Sequence, residues 1–337
     1  MKKIFLISLL AVWITSFIYS QETSIYVASW NLENLFDNID NPDKEDEEFL
    51  SDGKKEWTDE RIALKMENLS KVIEYMNLNN GPDLLGVIEV ENVEILQKLN
   101  DNYLNEFNFE ITYADAPDMR GIDVGLLYNA DKFVLVEKEE LFVNLNDRPT
   151  RDVLLAKLLF VDDTFYVFIN HWPSRSGGQA ESEPKRILAA SVVKNKVNDI
   201  LLDNPDAKII VMGDFNDEPT NISLLDTLQA NFYNCEQEIS DSTVLFNLSS
   251  RLFSDSLGTY MYKQQWNMLD QIIVSKQLLV GEKFQYICDS FEIIKPDFMV
   301  TKSGKWEGAP YPSYGSGKFL GGYSDHFPVG IKIMVFQ

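Results

Sequence analysis

Four short apolar runs in this 337-residue chain each stop at a polar residue able to do chemistry. Residues 25–30 run into Asn31, 83–88 into Glu89, 164–170 into His171, and 208–212 into Gly213-Asp214-Phe215-Asn216. Asp325-His326 stands just ahead of a further apolar run over 328–335. Runs this short and this apolar have the length and character of strands buried inside a sheet. If their ends open on one rim, the polar residues meet there, which is where sites form in α/β scaffolds. Further strands are predicted around 122–128, 133–136, 153–160 and 270–274.

Helical segments separate these runs. Ile62, Met66, Leu69, Ile73 and Met76 recur at helical spacing. They follow Thr58, suited to an N-cap, with Asp59 and Glu60 in the first turn and Trp57 placed to staple onto Ile62. Gly81-Pro82 stops this helix, and Pro184 is placed to open a long one reaching Leu202. The acidic stretch 37–56 lacks periodicity and the Gly and terminal Glu of an EF-hand, so it reads as a solvated loop. Residues 301–322, rich in Gly, Pro, Tyr and Ser, read as a surface loop leading to Ser324-Asp325-His326. Strand–helix–strand units beside hairpin-like pairs suggest an α/β or α+β fold of mixed sheets in layers, with helices outside.

Residues 1–20 have the layout of a secretory signal peptide: Lys2 and Lys3, an apolar core over 4–18, then Ser20 before a polar stretch. The remainder, 21–337, reads as one domain in a secreted or periplasmic protein without stable membrane insertion. It carries 28 basic against 53 acidic residues, a charge of −25 with histidine neutral. That balance excludes a passive coat on a polyanion, though not an enzyme that meets phosphate through a metal and a few local cations. Cys235 and Cys288 are the two cysteines, and their spacing leaves open whether they pair or stay as thiols.

The chain has two histidines, and each falls in one of the polar segments. Histidine titrates nearest neutral pH and is a preferred proton shuttle. Ser29-Trp30-Asn31, Val87-Ile88-Glu89, Asn170-His171, Gly213-Asp214-Phe215-Asn216, Leu269-Asp270 and Ser324-Asp325-His326 occur in this order. The set resembles the endonuclease/exonuclease/phosphatase superfamily, over residues 25 to 335. The resemblance implies a four-layer sandwich of two packed mixed sheets flanked by helices. It also implies Mg²⁺, or Mn²⁺ in its place, on Glu89, Asn31 and Asp325, hard oxygen donors of the kind Mg²⁺ favours. In the same reading His326 activates or orients the attacking water and Asp270 fixes its tautomer. Asp214 positions the nucleophile, Asn216 donates to a phosphate oxygen, and His171 faces the phosphate from the other side. His171 is similar to the pancreatic-type deoxyribonucleases, whereas the abasic-site branch carries Tyr there.

Arg120, Arg151 and Arg175 are candidate phosphate clamps, since a guanidinium forks onto oxyanions. Trp30, Trp172, Phe215 and Phe327 read as packing residues. The expected activity is a monomeric, metal-dependent phosphodiester hydrolase with nucleic acid as substrate. One alternative is a phosphatase acting on a lipid or inositol phosphate. Another is an inactive binding protein of the same fold.

Overall fold

The computed structural model describes residues 23–145, 148–241 and 243–336. The apolar N-terminal segment 1–20 lies outside the described residues. Strands follow in the order β1 (Thr23–Leu35), β2 (Leu84–Val90), β3 (Phe109–Ala114), β4 (Asp123–Asn129), β5 (Val134–Leu141), β6 (Val153–Phe160), β7 (Asp163–His171) and β8 (Lys208–Asp214). The C-terminal part adds β9 (Ala230–Phe232), β10 (Leu245–Asn247), β11 (Tyr260–Tyr262), β12 (Gln265–Asn267), β13 (Asp270–Ser275), β14 (Phe284–Tyr286) and β15 (Glu292–Ile293). A small hairpin, β16 (Tyr314–Gly315) and β17 (Lys318–Phe319), precedes the final strand β18 (Val329–Val335). One mixed sheet runs β14-β18-β1-β2-β4-β3 with β15 on β18, and a second runs β5-β6-β7-β8-β13-β10-β9.

The apolar runs lack alternation because both faces of these strands are covered. Ile25 and Val27 of β1 join Leu84, Ile88, Val167, Ile210, Met212 and Ile272 in the core between the sheets. Their neighbours Tyr26, Ala28 and Trp30 point outward onto Ile62, Met66, Leu69 and Ile73 of α1 (Asp59–Asn79). On the far side, Phe168, Ile209 and Val211 pack under Ala189, Val193 and Val197 of α3 (Gln179–Asp203). The result is four layers, helix–sheet–sheet–helix. Gly86 allows the central approach, since a Cβ there would lie 2.9 Å from Ile169 Cδ1 and 3.0 Å from Met212 Cε.

The elements absent from the sequence reading include α2 (Val93–Tyr103), capped by the Asn92 side chain on Ile95 N–H at 2.8 Å, the edge strand β3, and the short strands β9 to β12 and β14 to β17. Helix α3 begins five residues before Pro184, not at it. The missing proline N–H leaves the Ala180 carbonyl without its helical donor, and Ala180 is exposed to water, which can replace it. In α1, Thr58 takes the N-cap position without a side-chain capping bond to the helix backbone, and Met76–Leu78 leave helical φ/ψ ahead of Gly81. The acidic loop contains a 3₁₀ turn, Glu47–Phe49, anchored by the Phe36–Phe49 stack at 4.0 Å. No described helix is long and apolar enough to cross a membrane.

Cys235 and Cys288 form a disulfide, with Cα atoms 6.0 Å apart and a sequence separation of 53. In the chain-entropy account, a loop of this length gives about 4 kcal/mol, and removing native bridges costs about 2–5 kcal/mol. Cys235→Ala/Cys288→Ala is therefore expected to unfold at lower denaturant than the oxidised protein. An unchanged urea midpoint would show that the bridge contributes nothing.

Candidate functional site

Strand register puts the site together. His171 ends β7 opposite Asp214 at the end of parallel β8, and Asp214 pairs in turn with Asp270 at the start of antiparallel β13. These three residues form one row across the second sheet. Gly213 makes the row possible: its φ is +140°, and a Cβ would lie 2.0 Å from the Asn170 carbonyl oxygen. The facing rim of the first sheet carries Asn31 and Glu89. Both strands are irregular there, β1 shifting register between Asn31 and Leu35 and β2 between Ile88 and Val90. Glu33, Asn34 and Glu89 have φ of 53°, 55° and 61°, and Asn216 has φ of 50° across the pocket. Left-handed backbone at non-glycine residues is strained, and such strain collects where a bulge re-aims a functional side chain.

A pocket of about 850 Å³ opens on this rim, lined by Glu89, His171, Asp214, Asn216, Asp325 and His326 among others. His326 Nδ1 lies 2.7 Å from Asp270 Oδ2, and the same oxygen accepts from Thr259 Oγ1 at 2.6 Å. Tyr260 stacks on the imidazole with ring centres 4.7 Å apart, and Trp30 Nε1 donates to the His326 carbonyl. The ring is thus fixed with Nε2 toward the pocket, 3.9 Å from Asp214 Oδ2. Burial alone would lower the His326 pKa, but Asp270, Asp214 and Asp325 outweigh it and hold the ring well above its ordinary value. His171 goes the other way: burial, aided by Arg151, Arg120 and His326, holds it well below. The two rings are thus pushed in opposite directions, His326 toward the charged form and His171 toward the neutral form, in which it offers the pocket a hydrogen bond.

Asp214 is raised to about 6, chiefly by burial and further by Asp270, while His326 and hydrogen bonds from Asn216 and Asn31 oppose the shift. Those bonds come from Asn216 N–H to Oδ1 at 2.9 Å and from Asn31 Nδ2 to Oδ2 at 3.1 Å. Asn31 thereby orients Asp214, and its Oδ1 accepts from Glu33 N–H. The Asn216 amide donates to the Trp172 carbonyl at 3.0 Å, leaving one side-chain N–H for a ligand.

The donor set fits a divalent cation. Glu89 Oε2 accepts from Asn34 N–H at 3.1 Å. Its Oε1 has no hydrogen-bond donor among the described residues, with His171 Nε2 at 3.8 Å. The Asp325 carboxylate, at the wall of the same pocket, makes no hydrogen bond to the described residues. It is raised to about 7 by burial and by the charges of Glu33 and Glu89, against His326 and Lys65. Hard, unshared carboxylate oxygens that repel one another are what a dication neutralises. Asp214, Asp270 and His326 also converge, their ligating atoms within 4.8 Å of one another. There the imidazole Nδ1 is already committed to Asp270, which suits proton handling.

The arginines differ from one another. Arg120 lines the pocket with its guanidinium half exposed, 3.9 Å from Asp118. Arg151 is buried, bonded to Asp118 Oδ2 and the Trp172 carbonyl, both at 3.2 Å. Arg175 donates to the Asn216 carbonyl at 2.8 Å and to Asn267 Oδ1 at 3.1 Å. Those two guanidiniums brace the loops that carry His171 and Asn216, and Arg120 is the one of the three that turns its charge to solvent in the pocket. Trp30, Trp172, Phe215 and Phe327 are buried, as packing residues are.

Sequence reasoning missed Lys65. It is buried on α1, donating to Ser313 Oγ at 2.7 Å and the Tyr323 carbonyl at 2.6 Å, with Glu33 Oε2 at 3.8 Å. Glu33 in turn accepts from Ser313 N–H, so the pair ties the loop bearing Asp325-His326 to β1. Thr259 and the hairpin residues Tyr260, Tyr262 and Trp266 were missed as well.

Two stacked mixed sheets with a carboxylate–histidine pocket on one rim define a hydrolase scaffold. A sequence model of the Endonuclease/Exonuclease/phosphatase family matches residues 26–335, and the chain belongs to that family. No curated protein matches the chain. Among solved structures, a family member from Bacteroides thetaiotaomicron is similar at 18% identity, TM-score 0.56, over 94% of this chain and 100% of that one. The mannosyl-6-phosphatase Bt3783 of the same organism is similar at 18%, TM-score 0.56, over 93% and 100%. D. rerio TDP2 complexed with a single-strand DNA product is similar at 13%, TM-score 0.56, over 93% and 99%. These likenesses show the two-sheet sandwich.

Proposed function

We propose that the protein is a secreted or periplasmic Mg²⁺-dependent phosphodiesterase, a nuclease acting on DNA or RNA as a monomeric single domain. The observation that carries this reading is the pairing, in one pocket, of two carboxylates with oxygens free of hydrogen bonds to the described residues, Glu89 and Asp325, with the Asp270–His326 dyad and Asp214. An ion held by Glu89 and Asp325 would polarise the phosphoryl oxygens. His326 Nε2 and Asp214 Oδ2, 3.9 Å apart, frame the place of the attacking water: His326 orients it and the Asp214 carboxylate can take its proton as the new P–O bond forms, while the bond to the leaving ester oxygen breaks and that oxygen takes a proton from solvent. Asp270 holds the His326 tautomer and the charge that develops on it. His171 and the free N–H of Asn216 donate to phosphoryl oxygens as negative charge builds there, and Arg120 supplies a fixed cation at the pocket wall. Export is supported by the sequence of residues 1–20 and by the disulfide, a bond that persists in oxidising compartments.

The mannosyl-6-phosphatase likeness makes a sugar phosphate the competing substrate. Purified protein with Mg²⁺ or Mn²⁺ is expected to cleave plasmid DNA, RNA or bis-p-nitrophenyl phosphate, and to stop with EDTA. Turnover confined to mannose 6-phosphate or a phosphoinositide would replace the nuclease reading with a phosphatase.

A further inference from the structure

Beside the catalytic pocket lies a second depression of about 320 Å³. Among the described residues, Arg120, Arg148, Arg151 and Lys185 line it against the acids Asp118 and Glu181, an excess of two positive charges. The whole chain carries −23, so this is a local reversal of sign. Arg120, Ser174 and Ser176 line both cavities and form the ridge between them. Arg151 and Asp118 are buried and paired at 3.2 Å, which makes them the inner wall. Arg148 stands exposed at the outer edge, with no ion pair or hydrogen bond among the described residues.

We infer that this depression is a second phosphate subsite, which takes a non-scissile phosphate of a nucleic-acid strand through Arg148 while Arg120 spans the ridge. The inference rests on the nuclease reading above. A monoester with a single phosphate would be fully held in the first pocket and would have no use for a cationic neighbour. A strand carries its next phosphate out of the pocket, and contacts to such phosphates set register rather than perform chemistry. Arginine suits the task because its fork matches phosphate oxygens. In a strongly acidic protein such a site must be local, because the overall field repels the strand.

The test compares Arg148→Ala and Arg148→Lys with the wild type on a single-stranded oligonucleotide and on bis-p-nitrophenyl phosphate, which has one phosphate. Arg148→Ala is expected to raise KM for the oligonucleotide about tenfold, with kcat nearly unchanged and partial rescue by Arg148→Lys. The slope of log(kcat/KM) against log salt should shrink by about 0.7, the value for one single-strand phosphate contact. Bis-p-nitrophenyl phosphate kinetics should not move. Oligonucleotide kinetics that match the wild type, or an equal loss on both substrates, would overturn the subsite while leaving the nuclease reading in place. A wild-type protein that hydrolyses the small diester but no oligonucleotide would overturn the nuclease reading itself, and the strand-binding role with it.

Discussion

His326→Ala is expected to lower kcat by about 10³-fold, within the range that positioned acid–base groups contribute. The size follows from how completely the ring is committed. Its Nδ1 sits 2.7 Å from Asp270, its face lies on Tyr260, and its backbone is held by Trp30, so Nε2 has one orientation. The one other histidine of the chain is His171, whose pKa burial holds well below its ordinary value. Truncation also strands Asp270, whose Oδ1 already lacks a partner, and breaking a buried charged pair costs about 3–5 kcal/mol. Stability and chemistry must therefore be separated. His326→Gln can keep a donor for Asp270 and is expected to melt near the wild-type temperature while losing a comparable factor in kcat. Asp270→Asn should lose about 10²–10⁴-fold, because an amide neither fixes the tautomer nor favours the imidazolium. KM should change little in all three. Wild-type kcat in His326→Gln would place water activation elsewhere.

The parts of this site that were legible in the sequence are those at the ends of strands buried on both faces. Asn31, Glu89, His171 and Asp214 each follow a mainly apolar run without alternation, and a central strand needs such a run. The strand and helix order allowed two layered sheets, but the four-layer arrangement came with the family resemblance. A local pattern does not say which way a guanidinium turns. Arg120, Arg151 and Arg175 look alike in sequence, yet two of them are consumed by carbonyls and side chains brought from far along the chain. Lys65 did leave a trace. It lies three residues after Ile62 and four before Leu69, on the apolar face of α1, where a lysine must find buried partners. Those partners, Ser313 and Tyr323, are about 250 residues away and invisible to helical spacing. The Cys235–Cys288 bridge is likewise a product of tertiary approach.

Replacing Glu89 should reveal that the site holds strain for the sake of its chemistry. The residue sits at φ +61°, at the register shift of β2, beside the left-handed Glu33 and Asn34. A glycine adopts that backbone without the cost a side chain carries, a difference of about 1 kcal/mol. Glu89→Gly also removes one of the charges that raise Asp325. It is expected to melt about 2 °C higher than the wild type, as a gain of that size implies for a chain of this length. Its activity should fall by about 10³-fold or more, because the carboxylate with a free oxygen toward the pocket is gone. Glu89→Gln separates the two effects: it keeps the strained backbone and nearly the same shape but halves the charged donor set. Its Mn²⁺ affinity, followed by the EPR signal of the free ion, is expected to drop by about 100-fold or more, beyond the 10–100-fold typical of supporting residues, with a smaller rise in melting temperature than in Glu89→Gly, since it relieves the charge on Asp325 but not the backbone. Undiminished Mn²⁺ binding in Glu89→Gln would remove Glu89 from the metal site. A Glu89→Gly protein less stable than the wild type would show that the left-handed turn at the pocket is not a source of strain.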